Sequence, residues 1–228
     1  MTKSTELTSV QDAIAKRIAN VAQTTEAPTN KRISTKGGVF TLPGGETNKG
    51  PIHSIIIDSI RQNNFYKSAY NPNESAPPEC YSIGRNIDEM KPSANASEPQ
   101  FDGLCKDCPK NQFGSATNGG KGKACTNNLN LALLPEDFEA SSDLLSIRVA
   151  PTGLTSWNKH VRTLASKGLD PIQVVTEIAF NPDVSYPTLV FKADNPVDSD
   201  KLGILAPFMQ SAQLMLESEP APADAKAA

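Results

Sequence analysis

All four cysteines of this chain fall between positions 80 and 125, at Cys80, Cys105, Cys108 and Cys125. The middle pair forms a C-x-x-C knuckle, Cys105-Lys106-Asp107-Cys108-Pro109. Around them stand turn formers: Pro77-Pro78, Gly103, Gly114, Asn118-Gly119-Gly120 and Gly122. A stretch so poor in apolar side chains does not fold by burial alone. Four thiolates around one Zn²⁺ would hold it, and with no coordination position left open the ion would be a staple, not a catalyst.

Competing uses of the cysteines fit less well. Two disulfides need an oxidising compartment, and Met1-Thr2-Lys3-Ser4 leads into no apolar signal core. A redox C-x-x-C opens a helix after a strand, whereas this one sits in a Gly/Asn/Lys loop. A zinc deaminase needs H-x-E upstream of P-C-x-x-C. Neither His53 nor His160 is followed by Glu two residues on, and Leu104 precedes Cys105. An iron–sulfur cluster uses the same ligand type and stays open beside zinc.

The length of 228 residues allows one domain with an insertion, or two small ones. A net charge of −3 argues against a generally basic coat. The charge is uneven, however. Residues 1–50 carry seven Lys/Arg against four acids, residues 101–130 four Lys against two, and residues 196–228 two Lys against five acids. A basic front and loop with an acidic tail leave room for a local anion-binding face. No apolar run approaches bilayer length, so no membrane partner is expected.

In chain order, Val10, Ile14, Ile18 and Val21 predict a short helix over 9–22 in an N-terminal arm, residues 1–30. Residues 31–42 read as a strand bent at Gly37-Gly38 and residues 52–60 as a β-branched strand, with His53 at its surface end. Residues 71–128 are the cysteine loop and its flanks, with little regular structure expected from Ser82 to Phe101. Leu129, Leu131 and Leu133 alternate, as do Leu145, Ile147 and Val149. Leu154, Trp157, Val161 and Leu164 stripe a helix over 155–167 that Gly168 ends, with His160 off the stripe at the surface. Strands follow over 172–180 and 186–192. A last helix over 199–217, split or kinked by Pro207, would turn Leu202, Leu205, Phe208, Met209, Ala212, Met215 and Leu216 inward. Residues 218–228 read as a disordered tail.

With the loop removed, the order strand, strand, strand, helix, strand, strand is that of an OB barrel. The expected fold is mainly β, α+β: a small OB-like barrel over 31–192 built from residues 31–42, 52–60, 143–149, 172–180 and 186–192. The four-cysteine zinc loop, about 71–128, would be inserted between the second and third strands, with helices flanking the barrel.

Three motifs form a set: Pro77-Pro78-Glu79-Cys80-Tyr81, Cys105-x-x-Cys108-Pro109-x-Asn111-x-Phe113-Gly114-Ser115, and Gly120-Lys121-Gly122-Lys123-Ala124-Cys125. The set resembles a family of zinc-loop proteins from the replication and recombination modules of tailed bacteriophages, some of which look like OB-fold single-stranded DNA-binding proteins. The resemblance implies zinc on Cys80, Cys105, Cys108 and Cys125, single-stranded DNA and replication or recombination proteins as partners, and the cytoplasm of an infected bacterial host. It assigns no DNA-contacting residue.

Single-strand binders combine stacking aromatics with cations that track phosphates. The stacking candidates are Phe40, Tyr66, Tyr70 and Tyr81. The phosphate candidates are Lys31, Arg32, Lys36, Arg61, Lys67, Lys121 and Lys123. Aromatics make up only 6% of the chain, so several of them must serve the core. A second reading is a zinc-stapled adaptor or transcription accessory factor that binds protein and no nucleic acid. Enzyme chemistry is not expected: there are two His, the cysteines are committed, and no nucleophile-elbow or paired-carboxylate motif is present.

Overall fold

The computed structural model describes residues 31–68, 77–117 and 119–220. The helix expected over 9–22, Tyr70 and most of the tail lie outside the described residues. The strands are β1 (Arg32–Ile33), β2 (Phe40–Thr41), β3 (Thr47–Asn48), β4 (Ile52–Phe65), β5 (Cys80–Gly84), β6 (Cys125–Pro135) and β7 (Leu145–Val149), followed by β8 (Val174–Phe180) and β9 (Leu189–Pro196). Helix α1 (Leu154–Ala165) lies between β7 and β8, and α2 (Ser199–Gly203) and α3 (Ala206–Glu217) close the described chain.

β4 is the spine. Its isoleucine-rich first half pairs with β8 through Ile52–Ile55, and its polar second half pairs with β5 through Arg61–Phe65. The opposite edge of β4 pairs with β6 along almost its whole length. The sheet order is β1-β7-β6-β4-β8-β9, with β5 added on β4; β1 joins β7 in parallel and the other pairs are antiparallel. The result is a mainly β, α+β fold, a strongly curled mixed half-barrel with a few helices. β2 and β3 form a separate ribbon.

Both faces of the sheet carry core, because Ile55, Ile56 and Ile57 are all buried and cannot share one face of a pleated strand. A register shift between Ile56 and Asp58 accommodates the run. Ile55, Ile57 and Ile60 join Ala132, Leu134 and Val175 under Leu205, Phe208, Ala212 and Leu216 of the C-terminal helices. Ile56 joins Leu129, Leu131, Leu133, Ile147 and Val149 with Trp157 of α1, Phe40 and Ile33 on the other side. No helix among the described residues is long and apolar enough to cross a membrane.

Several expectations need correction. Residues 31–42 do not form one strand: the glycine pair, at φ 73° and 72°, breaks them into β1, a 3₁₀ turn and β2. The strand expected over 52–60 runs on to Phe65, since Asn127, Asn128 and Asn130 of β6 face its polar end. Residues 125–135, left out of the expected barrel, are central to the sheet. Pro207 sits in the first turn of α3 and the last helix is split, as expected. Leu202 and Met209, expected inward, are exposed together with Leu214. Residues 218–220 stay against the body, where Asn95 donates to the Glu219 carboxylate and Pro220 is buried.

His160 is buried rather than on the surface, its Nε2 3.3 Å from the Thr176 hydroxyl. Burial pushes its imidazole below the ordinary 6.5. Burial also works to raise the Asp58 carboxyl, but two 2.7 Å bonds from the Arg85 guanidinium override it and hold the carboxyl below 3.8. Both groups are depressed in the fold. Each contributes stability that is present above its unfolded pKa and lost as pH falls through its folded one. Acidification below 6.5 should therefore lower the urea midpoint first through His160, with Asp58 adding its loss below 3.8. His160→Gln should flatten the first part of that slope; an unchanged slope would assign it to another group.

Candidate metal centre and nucleic-acid interface

The cysteine loop is docked on the polar end of the sheet. Phe65 pairs with Cys80 on β5 and with Cys125 on β6, so these two cysteines flank the last residue of β4 on one face. The knuckle comes back to the same place by two 3₁₀ turns, Cys105–Asp107 and Pro109–Asn111. The Cys105 amide donates to the Met90 carbonyl at 2.7 Å, and the Asn111 side chain donates to the Cys105 carbonyl at 2.7 Å. None of the four cysteines is in a disulfide, and all four line one cavity of about 20 Å³ beside Phe65 and Asn63. That is the room of one water-sized occupant. Burial and the three other thiols push Cys125 up to about 12, and burial raises Cys80. Among the described residues, no three His, Cys, Asp or Glu side chains are already drawn together as a ligand cluster. The set matches a structural zinc site in donor type and donor number.

A polar chain joins loop to sheet beside the buried Phe65 and Met90. Cys105 Sγ donates to the Ser82 hydroxyl at 3.3 Å, and Asn63 donates to the same oxygen at 3.3 Å. Asn127 donates to Asn63 at 2.6 Å, and the Lys123 ammonium donates to Asn127 and Asn111, each at 3.2 Å. On the opposite face Asn130 donates to Gln62 at 2.5 Å. The runs Gln62-Asn63-Asn64 and Asn127-Asn128 are the sequence signal for this seam, and it is hidden because amides at a strand end look like loop.

The expected nucleic-acid residues divide. Lys31, Arg32 and Lys36 belong to β1 and its flanks, at the edge of the sheet beyond β7 and β6 from β4. Lys31 pairs with Asp143, Arg32 is half-buried and Lys36 is exposed. Arg61, Tyr66, Lys67, Tyr81, Lys121 and Lys123 belong to the loop end of the sheet. The structure thus does not bring the two sets together. Phe40 is a core residue, 0% exposed, with its ring centroid 4.5 Å from that of Phe180. Tyr81 is buried too, and Ser93 and Glu219 are bonded to its hydroxyl; neither ring is placed to stack on a base. Lys67 pairs with Glu98. Arg61 is half-buried and donates to Asn158 of α1 at 3.3 Å. Tyr66 is half-buried at the end of β4, and Lys121 is fully at the surface. Lys123 is a structural lysine, held by two asparagines.

Phe113 is not among the residues expected from the sequence. It is the most exposed large apolar side chain among the described residues, at 83%. The Lys123 ammonium lies 5.1 Å from its ring centre. Such a contact is worth about 0.5–1 kcal/mol at an exposed site. Burying the ring would give about 1.5–3 kcal/mol, so folding stability alone does not account for leaving it in water. Its signal in the sequence is a lone aromatic in a Gly/Lys loop.

No protein-family model, curated protein or solved structure matches the chain.

Proposed function

We propose that the chain is a non-enzymatic binder of single-stranded DNA, built on an OB-like half-barrel and stapled by one structural zinc. The supporting observation is strand order. The path β7-β6-β4-β8-β9, with α1 between β7 and β8, follows an OB barrel read as third, second, first, fourth and fifth strand. In that reading the cysteine loop is the connection from first to second strand, one of the two loops that OB folds use on oligonucleotides. The departure is closure: β7 takes β1 as its outer neighbour instead of β9. The outer face of the first strand is also covered by α3.

Cys80, Cys105, Cys108 and Cys125 would hold the zinc, which fixes the loop and carries out no reaction. A place in phage replication or recombination follows from the motif resemblance alone. The test is anisotropy with labelled single strands and duplex at two salt concentrations. Single strands should bind more tightly, with affinity falling as salt rises. Lys121→Glu should weaken all sequences alike and reduce the salt slope by about one. Equal affinity for duplex, or no binding at low salt, would hand the chain to the adaptor reading.

A further inference from the structure

Resting on that reading, we infer that Phe113 is a base-stacking platform for single-stranded DNA, with Lys121 beside it to neutralise the adjoining phosphate. The turn is built to present the ring. Gly114, at φ 85°, donates its amide to the carbonyls of Lys121 and Gly122 at 3.0 and 2.9 Å, which folds the Lys121-Gly122 backbone back beside Phe113. The Ser115 hydroxyl accepts from the Ala124 amide at 3.0 Å and donates to the Gln112 carbonyl at 2.6 Å, closing the turn at its base. Lys123, anchored by Asn111 and Asn127, sits against the ring, and Phe113 is still 83% exposed. A π-face with a fixed cation against it and open water around it fits a nucleobase, which every sequence can supply.

Charge picks the occupant. From Cys105 to Cys125 the loop carries four lysines against Asp107; Lys106 is paired with Asp88 at 3.2 Å and Lys110 lies over the Phe65 ring, which leaves Lys121 and Lys123 for the Phe113 turn. The other exposed large apolar side chains, such as Met209 and Leu214, belong to other elements. An apolar protein surface would meet one ring among ammonium groups, whereas a single strand would meet a stacking face with phosphate partners next to it.

The experiment compares wild type, Phe113→Ala and Phe113→Tyr against a labelled oligothymidine and an abasic oligomer of equal length, after thermal melts show equal folding. Phe113→Ala should bind oligothymidine roughly fivefold to a hundredfold more weakly, the range expected for one lost stack. Phe113→Tyr should restore it, and affinity for the abasic strand should be equal in all three. Unchanged oligothymidine affinity in Phe113→Ala overturns the platform while leaving the single-strand reading intact, and so does an equal loss on the abasic strand. Failure of wild type to bind either oligomer overturns both.

Discussion

Replacing Cys105 by Ser should release one zinc per chain and free the loop, leaving the half-barrel folded. The serine hydroxyl can still reach Ser82, which Cys105 contacts at 3.3 Å, so the substitution removes a ligand and little packing. Losing a group that merely supports a metal ligand costs about 10–100-fold in affinity; losing a ligand should cost more. The half-barrel has two apolar clusters of its own, around Ile55 and Ile56, and neither contains a cysteine. Cleavage by a protease should therefore begin between Arg85 and Lys123, while the main thermal transition persists. Metal binding needs thiolates, so zinc uptake should release protons and weaken as pH falls. Native protein without zinc, or Cys105→Ser protein that lacks any cooperative transition, would remove the staple from the account.

What can be read from residues alone follows how local each signal is. The α1 stripe needs only spacing, and the helix stands where spacing puts it. The cysteine set is local in part: its four side chains line one cavity, though among the described residues they are not drawn together as a ligand cluster. His160 is legible by the same rule, since it lies three residues after Trp157 and four before Leu164, on the buried stripe. Reading a polar side chain by type before position puts it at the surface instead. Strand pairing is non-local, and there the residues mislead. The polar end of β4 looks like a loop until Asn127 and Asn130 of β6 are set against Asn63 and Gln62. The same gap moves the loop by one strand. The expected barrel includes residues 31–42 and omits residues 125–135, although hydrophobic alternation is plain in the second stretch as well. The two phenylalanines make the point most simply. Phe40 follows a glycine pair and Phe113 precedes a glycine, so neither context shows that one is 0% and the other 83% exposed. Burial depends on what arrives from elsewhere in the chain: Phe180 and Ile33 for one ring, a single lysine for the other.

Phe40→Ala should accordingly act on stability and leave binding alone. The ring is fully enclosed in the cluster that holds Ile33, Trp157 and Leu189, and it tilts against Phe180 at 4.5 Å. Truncating such a ring loses its transfer free energy and opens a cavity, at a cost of about 3–5 kcal/mol. Domains of this kind are stable by about 5–15 kcal/mol in total, so the denaturant midpoint should fall by a large fraction, with the slope of the transition unchanged. The site lies on β2, away from the loop end of the sheet, so affinity for oligothymidine per folded molecule should match wild type. Phe113→Ala should give the mirror pattern, with weaker binding and a midpoint lowered by no more than the loss of the Lys123 contact, about 0.5–1 kcal/mol. If Phe40→Ala kept its stability and lost its single-strand affinity, Phe40 would be a binding-face residue after all, and the assignment of the loop end as the interface would have to be given up.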